Sequence, residues 1–131
     1  MTAHSDSDIT ESDIREPVDS FLPLSAAALH ILLSLAGEER HGYGIMQDVA
    51  AQTDGKYKLG PGTLYDNLQK LMDHGFVEQA RGARRGEDPR RRYYRLTGLG
   101  AAVLSADVAR LERVVQKARL HLRAGKRGEA T

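Results

Sequence analysis

Seven arginines crowd the stretch between residues 81 and 95: Arg81, Arg84, Arg85, Arg90, Arg91, Arg92 and Arg95, offset there only by Glu87 and Asp88. A planar guanidinium donates to phosphate in a bidentate fork or sits in a narrow minor groove, so the chemistry on offer is polyanion binding. A charge run by itself is commonly just a solvated face. Here it follows a short capped helix and lies between two strand-like segments, which makes it the basic half of a nucleic-acid footprint.

The helix before it supplies the other half. Gly60-Pro61 starts it, since proline suits the first helical position where its missing N–H has no partner to lose. The unpaired N–H groups around Gly62 and Thr63, at the positive end of the helix dipole, favour a phosphate oxygen. Leu64, Leu68, Leu71 and Met72 repeat on one face, leaving Gly62, Thr63, Asp66, Asn67 and Lys70 outside and Tyr65 at the border. Asn67 is a type that reads base edges and Lys70 one that meets phosphates; Tyr65 is split evenly between a phosphate contact and a structural aromatic. Asp66 is out of place on such a surface, because a carboxylate repels phosphates unless it accepts from a cytosine amino group or pairs with an arginine.

Competing chemistry has little to stand on. His4, His30, His41, His74 and His121 have no metal-ligand spacing, and there is no cysteine. Glu38-Glu39 beside His41 reads as a solvated helix end, with nothing apolar to tune a pKa. Gly60-Pro61-Gly62-Thr63 lacks the Lys and strand of a phosphate-binding loop. No catalytic residue, metal ligand or cofactor is therefore expected.

The elements that must position these groups follow in order. Ser25 caps a helix whose face is Ala28, Ile31, Leu32 and Leu35, with Leu29 and Leu33 as a second stripe and Gly37 as its stop. Gly42 is expected to cap a second helix with Tyr43, Met46, Val49 and Ala50 inward and Ile45 beside them, closed by Thr53-Asp54-Gly55. Gly75 ends the third helix. Residues 76–81 and 92–96 then form an antiparallel pair, with Tyr94 and Leu96 on one face and Tyr93 and Arg95 on the other. Thr97 caps the last helix, whose Gly98 and Gly100 weaken its first turn. Leu104, Val108, Leu111, Val115, Ala118 and Leu122 are spaced 4, 3, 4, 3 and 4, a heptad seam that calls for a partner helix, most simply a second copy.

Whole-chain properties agree. The chain has 131 residues and a net charge of +1, but residues 1–20 hold six acids against Arg15 alone, leaving them at −5 and the remainder at +6. Residues 1–21 are thus expected to be a disordered acidic leader, 22–97 a DNA-binding domain, 98–123 a dimerisation helix and 124–131 a flexible tail. The leader has no apolar segment of a secretory signal, and no run approaches the roughly 18 apolar residues that span a bilayer. Together with the lack of cysteine this points to a cytoplasmic protein without a membrane partner.

Three blocks in order, HGYGI at 41–45, PGTLYDNLQKLMDHGFVE at 61–78 and RRYYRLTGLG at 91–100, resemble the PadR family of bacterial transcriptional regulators, over roughly residues 22–122. The single C-terminal helix is similar to the short subfamily. The resemblance implies a winged helix-turn-helix that dimerises through that helix, binds an inverted-repeat operator in double-stranded DNA, and is usually a repressor released by a small-molecule effector. It implies that Tyr43 packs near the DNA-proximal helices, that Thr63, Tyr65 and Lys70 lie at the DNA face, and that Arg91 and Arg92 belong to the wing. Two positions depart from the pattern. Asp66 stands where proline is common, and without tryptophan a tryptophan-lined ligand pocket is absent.

The expected fold is thus mainly α with a small β-hairpin (α+β): a winged helix-turn-helix plus a long dimerisation helix. The expected function is sequence-specific DNA binding as a homodimer, with the DNA contacts drawn from Tyr43, Gly62, Thr63, Tyr65, Asn67, Lys70, Arg84, Arg85, Arg90, Arg91 and Arg92. The alternative is a winged helix used only to bind another protein.

Overall fold

A computed structural model describes residues 18–80 and 91–130, the side chains of 127–130 excepted. Arg81, Arg84, Arg85 and Arg90, the hairpin tip and residues 1–17 of the leader lie outside the described residues.

Among the described residues, four helices with both ends in view and a three-stranded sheet follow in the order α1 (Ala26–Leu35), β1 (Arg40–His41), α2 (Gly42–Gln52), α3 (Pro61–Asp73), β2 (Val77–Ala80), β3 (Tyr93–Leu96) and α4 (Gly98–Ala130). This is a winged helix-turn-helix, mostly helical with a small sheet. Ser25 caps α1 by accepting from Ala28 N–H at 3.1 Å. Pro61 opens α3 behind a Gly60 N-cap, and Gly75 leaves it at φ 80°. One apolar cluster fills the centre: Ile31, Leu32 and Leu35 of α1, Ile45 and Val49 of α2, Leu64, Leu68 and Leu71 of α3, then Phe76, Val77, Tyr94, Val103 and Leu104. Because α3 buries three leucines there, its opposite face is held outward on a rigid base.

Several sequence expectations are corrected. His41, not Gly42, caps α2, its Nδ1 accepting from Gly44 N–H at 3.1 Å. Ile45 is wholly buried whereas Tyr43 is 61% exposed, so the inward stripe of α2 is rotated away from Tyr43. Tyr93 is buried as well as Tyr94, because a strand the periodicity does not reveal, β1, covers it. Arg40 pairs with Tyr94 and His41 with Tyr93, and the His41 ring meets the Tyr93 ring edge-on at 5.4 Å. The sheet order is β1-β3-β2, with Glu78 opposite Arg95 and Gln79 opposite Tyr94. Val18 belongs to the core and Phe21 packs against it, so the domain takes in part of the segment expected to be leader. Helix α4 runs to Ala130, through the residues expected to form a tail.

The junction into α4 explains one glycine. Thr97 Oγ1 donates to Gly75 O at 2.6 Å and accepts from Gly100 N–H at 3.0 Å, tying the end of α3 to the start of α4. A Cβ on Gly100 would strike the Phe76 carbonyl oxygen and lie 2.9 Å from Leu96 Cδ1, whereas one on Gly98 would meet nothing within 4 Å. Gly100→Ala is therefore expected to lower stability by about 1–3 kcal/mol, since backbone cannot give way as a side chain can. Gly98→Ala should raise it by up to about 1 kcal/mol through helix propensity. Urea unfolding of the two variants checks the contrast.

Candidate nucleic-acid interface

Helix α2, α3 and the inner edge of the wing meet around a cleft of about 450 Å³ lined by His41, Gly42, Tyr43, Tyr65, Arg91, Arg92 and Tyr94. Gly42 leaves room for the end of the Tyr65 ring against α2: a Cβ there would collide with the Tyr65 hydroxyl and sit 2.9 Å from its Cζ, so the ring would have to swing away. Tyr65 is thus half structural aromatic, half displayed group, at 49% exposure. Arg91 and Arg92 are exposed at the wing base. Arg91 Nη1 lies 2.8 Å from His41 Nε2. Burial holds the Tyr94 phenol above its ordinary range, nearby Tyr65 adds to this and Arg92 opposes it, so Tyr94 keeps its proton at neutral pH. Two guanidinium groups, tyrosine hydroxyls and an open mouth form a surface suited to phosphate oxygens.

Two neighbouring arginines outside the expected set are engaged within the fold. Arg95 donates to Glu78 Oε2 at 2.7 Å and lies 3.7 Å from Glu39, and the Glu78 hydrogen bond and charge raise its pKa. It serves the sheet edge. Arg40 is likewise engaged, donating to Ser34 O at 2.6 Å and pairing with Asp48 at 3.5 Å, which joins the end of α1 to α2.

Along α3 the expected residues divide. Gly62 and Thr63 are exposed at its first turn. Asn67 and Lys70 lie on the flank away from Tyr65, lining a second cleft of about 180 Å³ with Phe21, Leu24, Ala28, His74 and Phe76. The Asn67 amide donates back to Thr63 O at 2.8 Å, which takes one of its two N–H donors. At 100° per residue, the point opposite Leu64, Leu68 and Leu71 falls among Gly62, Asp66 and Gln69. Asp66 therefore stands near the centre of the exposed face, and Gln69, missed by sequence reasoning, shares it. Gln69 donates to Asp73 at 3.0 Å. The burial periodicity of α3 alone could have found it.

Helix α4 is 33 residues, about 50 Å. Its first turns are buried by Val103, Leu104 and Asp107, and Asp107 accepts from Arg110 Nε at 2.7 Å. Leu104 is thereby packed into its own protomer's core. Val108, Val115 and Leu122 are 38%, 45% and 69% exposed, Ala118 is exposed and Leu111 intermediate, so the open part of the seam starts at Val108. Among the described residues no helix is long and apolar enough to cross a membrane, and no cluster of side chains matches a metal site.

Comparison with known proteins places this arrangement. The sequence model of the transcriptional regulator PadR-like family matches residues 31–106. A transcriptional regulator of Mycobacterium tuberculosis is 33% identical over 93 residues, 71% of this chain and 82% of that protein. A PadR family transcription regulator from Clostridium difficile has the same fold, with a TM-score of 0.62 at 19% identity over 75% of this chain and 99% of that one. PadR of Bacillus subtilis, solved in complex with operator DNA, gives a TM-score of 0.53 at 24% identity, over 63% of this chain and 46% of that one. With the family match spanning more than half of its length and laid over α1 to the start of α4, the chain belongs to the PadR-like family of transcriptional regulators.

Proposed function

We propose that the chain is a repressor that binds an inverted-repeat operator as a homodimer and is released by a small-molecule effector. The observation that carries the DNA reading is the cleft shared by Tyr43, Tyr65, Arg91 and Arg92 beside the exposed face of α3. Each α3 enters a major groove, with Gly62, Thr63, Asp66, Asn67, Gln69 and Lys70 presented to the bases and nearby phosphates. The wing arginines hold the flanking backbone. The open seam of α4 supports pairing of two copies, which sets the half-sites about one turn or ~34 Å apart.

Effector release acts through the same joint: a change in the angle between paired α4 helices moves the two α3 helices off the groove spacing. Small-angle scattering with and without an active effector checks this, and an unchanged dimer shape would remove it.

The test of the DNA reading is a gel shift on the upstream region of the chain's own gene across a salt series. The slope of log affinity against log salt is expected to be steeply negative, about −0.9 per phosphate neutralised. No shift of the fragment at any salt concentration would instead favour a protein-interaction module.

A further inference from the structure

We infer that Gln69 reads an adenine in the major groove, with its amide held for that contact by Asp73. The inference rests on the DNA-binding reading above and deepens it, naming one base of each half-site and the residue that selects it.

The face of α3 opposite its buried leucines is short of groups that can tell bases apart. Gly62 has no side chain, the Asp66 carboxylate only accepts, and Lys70 only donates. Asn67 is half-buried on the flank and has one N–H on Thr63 O. Gln69 differs from all of these. It is exposed near the centre of that face and carries a donor and an acceptor on one planar group.

The next turn of the helix sets the sense of that group. Gln69 Nε2 donates to Asp73 Oδ1 at 3.0 Å. A carboxylate can only accept, so the amide nitrogen must lie on the Asp73 side and the amide oxygen away from it. One N–H is thereby taken. Among the described residues Gln69 makes no other hydrogen bond, which leaves one N–H and Oε1 side by side on the exposed face.

That pair matches one base edge. In the major groove adenine presents its N7 acceptor beside its N6 amino donor, and a glutamine amide meets both at once. Guanine presents two acceptors, N7 and O6, to a group with a single donor left. Cytosine offers a donor without an acceptor, and thymine an acceptor beside a methyl group. Asp73 does not touch the base; it is a positioning residue that stops the amide from turning over.

The experiment is selection of binding sites from a pool of random-sequence duplexes, by the wild type and by variants at both positions. The wild type is expected to favour adenine at one symmetry-related position of each half-site by about tenfold, the order expected for a bidentate base contact. Gln69→Ala selects the same site but is indifferent at that position. Gln69→Glu moves the position to cytosine, because a carboxylate accepts from the N4 amino group. Asp73→Ala loosens the adenine preference several-fold, whereas Asp73→Asn, which still offers an oxygen to the Gln69 N–H, restores it. Both Asp73 variants lose the same charge, so charge cannot produce a difference between them. A folding defect lowers binding to every sequence and does not change which base is chosen.

Unchanged base preferences in Gln69→Ala, or loss of a preference for a base other than adenine, would overturn the assignment while leaving the DNA reading intact. A preference as sharp in Asp73→Ala as in the wild type, or equally loose in both Asp73 variants, would overturn the part given to Asp73. A wild-type chain that enriches no sequence from the pool would remove the sequence-specific reading and this inference with it.

Discussion

Replacing Arg91 and Arg92 together by alanine is expected to weaken operator binding about a thousandfold at 0.15 M salt, without loss of stability. With log affinity falling by about 0.9 per log unit of salt for each neutralised phosphate, one contact is worth roughly fivefold at 0.15 M relative to 1 M. A dimer loses two such contacts per protomer, four in all, and the salt slope becomes shallower by about 3.6. Both residues are exposed, so their removal leaves the core untouched. The slope separates this effect from a folding defect: a misfolded fraction lowers the bound fraction at every salt concentration equally. Titration of a labelled operator between 50 and 400 mM salt measures it. An unchanged slope would show that the wing base does not hold phosphate. Asp66→Asn should act in the opposite sense, strengthening binding to any sequence by removing a carboxylate near the centre of the exposed α3 face.

How much of this was legible before the structure depended on how local each feature is. Helix α3 was readable because its leucines repeat along one face and Pro61 and Gly75 mark its ends, and α4 because its apolar spacing is regular over many turns. The phase of α2 was not. Gly42 and Gly44 contribute no side chain, which leaves Tyr43 and Ile45 to compete for the inward position, and only packing against α3 decides for Ile45. Strand β1 has two residues and no periodicity to detect, yet it closes the sheet, buries Tyr93 and sets His41 in place. The contact between His41 and Arg91 joins positions 50 residues apart. The Arg95 pairing was hidden in the same way: within a run of arginines, nothing local distinguishes the one opposite Glu78 across the sheet.

Val108→Asp with Val115→Asp is expected to convert a dimer to a monomer and to lower operator affinity by 10² to 10⁴-fold. Both side chains are part-exposed in the isolated protomer, lie on the open part of the heptad seam and stand outside the core cluster, so the substitution leaves the protomer's own core in place. In a paired helix each aspartate would be desolvated against its counterpart, where like charges repel and no partner compensates. The loss of affinity follows from linkage. Two joined readers present the second half-site at an effective concentration in the millimolar range, and a monomer forfeits that gain entirely. Leu104 would not serve, since it is packed into the domain core and its replacement would unfold the reader itself. Leu120→Asp is the matched control: it is 56% exposed and, at 100° per residue, lies opposite the seam, so it adds charge without touching the joint. Sedimentation reads the assembly state and circular dichroism the length of α4, because a helix whose described side chains beyond Leu111 are all exposed has little to hold it once its partner is gone. A monomer that still binds the full operator like wild type would mean that the two α3 helices are not read as a pair. The inverted repeat would then have no structural counterpart in α4.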